Sequence, residues 1–433
     1  SRRNTNEEDF FLGGRGLGPV VAAISYSSSA SSAWTLLGLS GAAYVLGLRV
    51  VWIAMGSIIG MLVAWYWIGP RLMRHSRDMN QLTLTDFLAE DATGRTRNGI
   101  VLVSSLIIIL TFTFYVAAQF QGAGNTFAST FELGMTESIL LGALIITIYT
   151  LLGGFWAVSV TDTVQGLLMA FTALLLPLAA LVEVGGFGGF IEGLRAVSSP
   201  QQLSLTGGSA GLVMIGVVVG SLSIGFGTYG QPHLLVRFMA LRDAKALRQA
   251  RLITIAWYAV VFSGMCFVGL VGHVLHAGLA NPETVFFALT DSLFTPVIGA
   301  ILLAAVLSAI MSTADSQLLV AASAITHDLG LGGAKRRLLY SRLAIVGLVT
   351  FAVLVSLYLP EAIFSRVLFA WTALGSAFGP VLFLRLAHVP LKPGAVLVSI
   401  LTGFGLAVTF YLMPNTPGDI LERLVPFCAS PRH

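Results

Sequence analysis

The stretch SYSSSASSAW, residues 25–34, places six serines in eight positions between two apolar runs, VVAAI before it and LLGLSGAAYVLGL after it. Lipid offers no hydrogen-bond partners to hydroxyl or backbone groups, so a polar stretch inside an apolar segment must serve something other than the lipid contact. The interruption predicts a break in a membrane helix. Discontinuous helices near the middle of the bilayer are the best sequence indication of a transporter's binding site.

The composition of the chain indicates a membrane protein. Of its 433 residues, 56% are hydrophobic and 10% are charged, and the mean hydropathy is +0.87. Soluble domains carry about 25% charged residues. About eleven segments have the length and apolar character that a bilayer-spanning helix needs, with centres near residues 30, 58, 112, 145, 170, 222, 262, 308, 350, 374 and 404. The sequence therefore predicts a polytopic helical membrane protein.

The basic residues fix the expected orientation. Lysine and arginine residues concentrate in alternate loops of the chain. Arg237 is predicted to belong to one of these basic loops. Basic loops stay in the cytoplasm, so the first segment is expected to run outward. The charges flank the membrane and indicate no nucleic-acid partner. The N-terminal stretch reads as a cytoplasmic loop, so we expect one more helix before it.

A second interruption lies in the sixth segment, where SIGFGTYGQPH occupies residues 223–233. The first and sixth segments hold corresponding positions in two five-helix halves. This predicts one transporter domain over 1–433, with repeats at 17–184 and 210–387 and peripheral helices at 393–433. The alternative is that the small residues simply allow close helix packing.

Two acidic residues interrupt other apolar segments. Asp315 lies in AIMSTADSQ, residues 309–317, where Ser312 and Ser316 are four apart on one helix face. Asp162 lies in VSVTDTVQG, and its alternative role is to cap a helix N-terminus. A carboxylate inside the membrane is costly unless it is paired or hydrated, and it is a functional hypothesis by default.

The polar groups suit a hard monovalent cation, which prefers hydroxyl, carbonyl and carboxylate oxygens. No His/Cys constellation for a transition metal is evident, and GGRGLG lacks the ending of a phosphate-binding loop. No nucleophile–base arrangement stands out either. The pattern thus favours a secondary transporter over an ATP-driven pump, an enzyme or a channel.

Several motifs, in order along the chain, resemble those of the sodium:solute symporter family: FLGGRGLG, GGFWAVSVTDTVQG, YGQPHLLVRFMA, AIMSTADSQLLVAASAITHDL and AWTALGSAFGPVLF. Within the family they are most similar to bacterial sodium/proline symporters. The resemblance implies an all-α polytopic protein with the LeuT-type five-plus-five inverted repeat and additional peripheral helices. It further implies sodium-coupled import of a small organic solute by alternating access across the bacterial inner membrane, with no catalytic residue and no organic cofactor. The implied partners are the solute, the sodium ion and the lipid bilayer.

The resemblance also implies cation ligands. The shared sodium site matches the following residues, the first three through carbonyls and the last two through hydroxyls: Ser28, Ser31, Ala309, Ser312 and Thr313. A second cation site, found in part of the family, matches Asp162, Ser312, Asp315 and Ser316. Asp315 stands where proline symporters carry a hydroxyl residue. It implies either a stronger cation site or a protonatable one.

On the solute side, the residues expected near the substrate are Ser32, Trp34, Thr35, Tyr115, Gln119 and Thr228. Ala30 stands where the proline symporters have an aspartate, and Ile224 and Thr228 replace an aromatic pair. The pocket is therefore expected to differ from theirs. Proline or a related amino acid is the first candidate; a monocarboxylate, sialic acid or a sugar is the alternative. A symporter-like sensor domain of a signalling protein is the alternative from another class.

Overall fold

The computed structural model describes residues 12–152, 155–330, 333–359 and 361–429, and the expectations for residues 1–11 and 430–433 lie outside this part. Regular structure within it is helical, apart from one isolated bridge between Leu17 and Leu241. We number the spans in chain order: span 1, 19–46; span 2, 50–78; span 3, Gly94–Phe131; span 4, Met135–Leu152; span 5, Phe155–Glu183; span 6, 211–240; span 7, Ala244–Leu275; span 8, Pro296–Ser323; span 9, Gly333–Tyr358; span 10, Ile363–Leu386; span 11, Pro393–Tyr411.

The predicted segments agree with these spans, since each predicted centre falls inside one of them. Nine continuous helices in the described residues are long and apolar enough to cross a membrane. That number is below eleven for two reasons. The outer half of span 1 runs on into span 2, while its inner half is short. In span 4 only the part Met135–Leu151 counts as an apolar helix, and it is just below the required length.

Span 1 is broken where the serines predicted it. Its inner helix, Pro19–Ala30, ends at Ala30, and a helical turn resumes only at Trp34. In a continuous helix each N–H group would donate to the carbonyl four residues earlier, but three N–H groups after the break have other acceptors. Ala33 donates to Gln119 Oε1 (3.0 Å), Trp34 to Ser32 Oγ (3.1 Å) and Thr35 to the Ser32 carbonyl (3.0 Å). The break therefore frees carbonyls inside the bundle.

Span 6 is also discontinuous, and its middle third, Ser223–Gly230, is a tight 3₁₀ helix. Trp371 Nε1 donates to the carbonyl of Ile224 (3.2 Å), so span 10 takes up part of the irregular backbone. A Cβ at Gly230 would lie 2.0 Å from the Leu374 carbonyl oxygen, so this glycine is also required for close packing. Span 6 is thus interrupted as predicted, and its small residues also allow close packing.

The two interruptions lie in the interior of the bundle. The inner helix of span 1 packs against spans 5, 7 and 8, and the irregular part of span 6 packs against spans 2 and 10. The outer surface is apolar: Val164, Leu167 and Phe171 of span 5 follow one another at helical spacing and are all exposed. Polar groups thus face inward and apolar groups face the lipid.

Candidate sodium and solute sites

Span 8 meets span 1 at the break through oxygen atoms. The Thr313 hydroxyl donates to the carbonyl of Ser29 (3.1 Å), and the Ser29 hydroxyl donates to the carbonyl of Ser312 (3.1 Å). The Ser29 carbonyl is available because the N–H group four residues later binds Gln119. The Ser312 hydroxyl turns back to the carbonyl of Ala309 (3.3 Å). Of the three residues predicted on span 8, Thr313 therefore bonds a freed carbonyl of span 1, Ser312 bonds the Ser29 hydroxyl, and Ala309 lies one turn before Ser312 on the same helix.

The two predicted residues on span 1 differ in how far their carbonyls are free. The Ser31 N–H donates to the carbonyls of Ser27 (3.0 Å) and Ser28 (3.1 Å), so the Ser28 carbonyl already accepts one bond. The Ser31 carbonyl loses its helical donor because the N–H of Thr35 binds Ser32. The Ser31 hydroxyl is buried, and among the described residues it has no hydrogen-bond partner. Together these oxygens form a donor set that suits sodium.

Asp162 is a member of a buried ion pair. It lies seven residues after the first residue of Phe155–Glu183, so the alternative role of capping the N-terminus of this helix is excluded. Its Oδ2 accepts hydrogen bonds from the hydroxyls of Ser25 (2.7 Å) and Ser29 (3.2 Å). The same oxygen lies 2.9 Å from Nη2 of Arg237, and the two side chains are 0% and 2% exposed.

Arg237 is therefore not the cytoplasmic loop residue that the charge pattern indicated. It lies inside Pro232–Ala240, and its guanidinium donates to three serine hydroxyls: Ser25 (2.8 Å), Ser29 (2.6 Å) and Ser316 (2.9 Å). Two signals in the sequence point to this role. Ser25 and Ser29 are four apart on one helix face, and a single cation within LLVRFMA must be paired if the helix is buried.

Asp315 is the unpaired acid of this region. Its side chain is 0% exposed, it forms no ion pair in the part of the chain that the structure describes, and its hydrogen-bonding neighbour is the adjacent Ser316. The charges of Asp162 and Arg237 both act on it. The region thus holds two buried carboxylates and one guanidinium, and the guanidinium pairs with Asp162, which leaves room for one more positive charge, a cation or a proton.

The solute residues only partly converge. A cavity of about 20 Å³ lies beside the break and is lined by Ala30, Trp34, Ser57, Tyr115, Ile224, Thr228, Tyr258, Phe262, Val367, Leu368 and Trp371. Trp34, Tyr115 and Thr228 among the predicted residues line it. The volume holds about one water molecule, so the pocket is closed in this conformation.

The other three predicted solute residues do not line the cavity. The Ser32 hydroxyl bonds to the Tyr115 hydroxyl (3.3 Å), and Gln119 binds the N–H of Ala33 (3.0 Å). Thr35 is fully buried, and its hydroxyl makes no hydrogen bond to the described residues. Ser32 and Gln119 shape the break in this conformation rather than the pocket wall.

Sequence reasoning missed most of the aromatic wall. Tyr258 and Phe262 stack with ring centroids 5.0 Å apart on one side of the cavity. Trp371 lines the cavity from span 10. Tyr258 and Phe262 lie four apart in span 7, so their shared face was readable from the sequence. Nothing in an apolar helix distinguishes a ring that faces a solute from one that faces lipid.

The outer side of the pocket is covered by a loop and the start of span 10. Phe364 stacks on Trp34 with centroids 5.8 Å apart, and its N–H and that of Ile363 donate to the Glu283 carboxylate (2.9 and 3.1 Å). Burial raises the pKa of the Glu283 carboxyl, against the effect of these two hydrogen bonds. Glu283 therefore holds the N-terminus of span 10 over the pocket.

Comparison with solved structures identifies the fold. The chain superimposes on a Na⁺-coupled sialic acid symporter in a substrate-bound, outward-open state with a TM-score of 0.78, at 18% identity and over 99% of this chain and 92% of the other. It also matches Mhp1, a nucleobase-cation-symport-1 family transporter in a closed conformation, with a TM-score of 0.61, at 13% identity and over 99% and 95% of the two chains. The LeuT-type fold implied by the resemblance is confirmed.

The sequence relatives are transporters. The osmoregulated proline transporter OpuE of Bacillus subtilis is 35% identical over 99% of this chain and 90% of its own length. The high-affinity proline transporter PutP of the same organism is 33% identical over 99% and 92% of the two chains, and a sodium/proline symporter of Staphylococcus aureus is 35% identical over 88% and 76%. The chain is thus a sodium-coupled, multi-pass transporter of the bacterial cell membrane, not an enzyme. The family model of the sodium:solute symporters matches residues 10–403, and the chain belongs to the sodium:solute symporter family.

Proposed function

We propose that the chain imports proline, or a closely related amino acid, together with sodium. The observation that carries this substrate is the match to proline transporters over nearly the whole chain, at 35% and 33% identity. The hydroxyls of Tyr115 and Thr228 at the cavity wall suit the polar end of such a solute, and the rings of Trp34 and Tyr258 suit its apolar ring.

Sodium binding is proposed at the junction of spans 1 and 8, on carbonyls of Ser28, Ser31 and Ala309 and hydroxyls of Ser312 and Thr313. An ion there would hold the broken stretch in one conformation. The same stretch carries Trp34 and, behind the cavity wall, Ser32 and Thr35. Sodium would therefore complete the solute pocket, and the solute must tighten sodium binding by the same factor.

Alternating access follows from the two broken spans. We propose that 17–184 and 210–387 are the two repeats and that 393–433 is peripheral, because the breaks in spans 1 and 6 then take equivalent places. In transporters of this kind, one repeat or bundle rocks against the other around a fixed site. The closed 20 Å³ cavity must widen in the outward-facing state to admit an amino acid.

One sodium ion supplies enough energy for a scavenging importer. One charge moving through 100 mV is worth about 2.3 kcal/mol, and a tenfold sodium gradient adds about 1.4 kcal/mol. The sum, about 3.7 kcal/mol, sustains a solute gradient of several hundredfold.

Uptake by the reconstituted protein tests this function. We expect radiolabelled proline to accumulate in proteoliposomes when an inward sodium gradient is applied, and not when potassium replaces sodium. Unlabelled amino acids, monocarboxylates, sialic acid and sugars compete in parallel reactions. Sodium-driven uptake of another solute, with no competition by proline, would contradict the proposed substrate.

A second cation is proposed at Asp315 with Ser312 and Ser316. Asp162 belonged to this predicted set. Its Oδ1 has no hydrogen-bond partner among the described residues, but its charge is already paired with Arg237 through Oδ2. The available charge is therefore the unpaired carboxylate of Asp315. The occupant is a second sodium ion or a proton.

Replacing Asp315 by asparagine separates these two occupants. We expect Asp315→Asn to lower the number of sodium ions per solute if the occupant is sodium, because the neutral amide removes the ion's counter-charge. If it is a proton, the pH dependence of uptake is expected to flatten. Charge-to-solute ratios and uptake between pH 5.5 and 8.5 provide the measurement, with Asp291→Asn on the outer helix Val285–Leu293 as the control. A variant unchanged in both respects would make Asp315 a structural residue.

A further inference from the structure

A second cavity, of about 60 Å³, lies between the buried ion pair and the cytoplasmic end of span 8. Arg237 and Ser316 form its inner end. The segment 82–85 and Asp328 close the other end, next to the basic helix Gly69–Asp78 that marks the cytoplasmic side. Most of the remaining wall is apolar.

The cytoplasmic end of this cavity holds a buried hydroxyl without a partner. Ser323 is 8% exposed, and its hydroxyl makes no hydrogen bond within the described ranges. Asp328 lies at the same end, where its Oδ1 accepts a hydrogen bond from the Thr83 hydroxyl (3.2 Å), and the buried Thr85 hydroxyl also interacts with its carboxylate. A buried hydroxyl is normally satisfied, so an unpaired one that lines a cavity indicates a ligand or water.

The cavity admits only a small ligand, and its cytoplasmic end suits a cation. A cavity of 60 Å³ is well below the roughly 300 Å³ at which pockets for organic ligands begin. A carboxylate with two hydroxyls is a set of hard oxygen donors, which suits sodium. We propose that Asp328, Thr85 and Ser323 form a transient sodium site through which the ion leaves toward the cytoplasm. This inference rests on the proposed sodium coupling.

The structural alternative is that Asp328 only holds the short helix Leu84–Leu88 against span 8. That contact needs an acceptor oxygen for Thr83, not a charge. Asparagine keeps the acceptor and removes the charge. Asp328→Asn therefore keeps the contact to Thr83 and removes the ion's counter-charge.

Inhibition of uptake by internal sodium gives the readout. Right-side-out vesicles are loaded with graded sodium concentrations, and initial rates of proline uptake are measured. For Asp328→Asn we expect the internal concentration that halves uptake to rise roughly tenfold, because the carboxylate attracts the ion from the cytoplasm. The external sodium concentration for half-maximal uptake is expected to stay unchanged, since this end of the cavity lies on the inner side.

Two further variants complete the test. Asp78→Asn, an exposed acid on the same side, is the matched control and should shift neither concentration. Ser323→Ala should raise the internal sodium concentration that halves uptake roughly two- to threefold. This variant tests the exit site if Asp328→Asn does not reach the membrane. The exit site would be overturned if internal sodium inhibited Asp328→Asn as strongly as the wild type, or if the internal and external sodium concentrations shifted by the same factor. Wild-type vesicles without sodium-stimulated uptake would instead overturn the proposed function.

Discussion

Replacing Arg237 by methionine is expected to destabilise the protein by about 3–5 kcal/mol and to abolish transport. The guanidinium is 2% exposed and binds Asp162 and three serine hydroxyls. Its loss leaves two buried carboxylates, Asp162 and Asp315, without a cation. Thermal unfolding of the purified protein, followed with tryptophan fluorescence, measures the effect. Arg248→Met is the control, because Arg248 is an exposed arginine near the start of span 7, the next span along the chain.

A double variant shows whether the effect comes from the unpaired charge. In Asp162→Asn/Arg237→Met both charges of the pair are gone, and the amide still offers an acceptor to Ser25 and Ser29. Removing a buried pair together costs far less than removing one partner. We expect the unfolding temperature of the double variant to lie well above that of Arg237→Met. Equal unfolding temperatures in the wild type and Arg237→Met would contradict a structural role for the pair.

The features that could be predicted from the sequence are those that a short stretch of neighbouring residues determines. The break at Ala30 and the irregular stretch 223–230 follow from polar or small residues inside apolar segments, because lipid leaves such residues no partner. The location of Asp315 within span 8 follows from the same argument. Each of these inferences needs only a window of about twenty residues.

The elements that sequence missed depend on contacts between distant spans. Asp162 and Arg237 are 75 residues apart, so no short stretch of sequence contains both. The distribution of basic residues among the loops predicted that the arginine lies in a solvent-exposed cytoplasmic loop. The wall formed by Tyr258 and Trp371 consists of aromatic residues in apolar helices, where rings are common on every face. The cytoplasmic acceptor Asp328 ends a helix and reads as an ordinary surface acid until the cavity is seen. Three-dimensional placement, not residue type, gives these residues their roles.

For Thr313→Ala, we expect the sodium concentration for half-maximal uptake to rise roughly tenfold, with membrane insertion unchanged. The hydroxyl lies at the junction of span 8 with the broken span 1, where it donates to the carbonyl of Ser29 (3.1 Å). Losing one oxygen ligand of a bound ion is worth about 1.4 kcal/mol, which corresponds to a factor of ten. Sodium titrations of proline uptake by purified, reconstituted protein measure the change.

The control must separate an ion ligand from a packing contact between spans 1 and 8. Thr313→Ser keeps the hydroxyl and is expected to retain nearly wild-type sodium dependence, whereas Thr313→Val keeps the volume and is expected to behave like alanine. A ligand also influences which ion is accepted, so the ratio of lithium-driven to sodium-driven uptake is expected to change in the alanine and valine variants. A packing contact has no reason to alter that ratio. Unchanged sodium dependence in Thr313→Ala would remove span 8 from the sodium site, and with it the coupling between the ion and the stretch of serines in span 1.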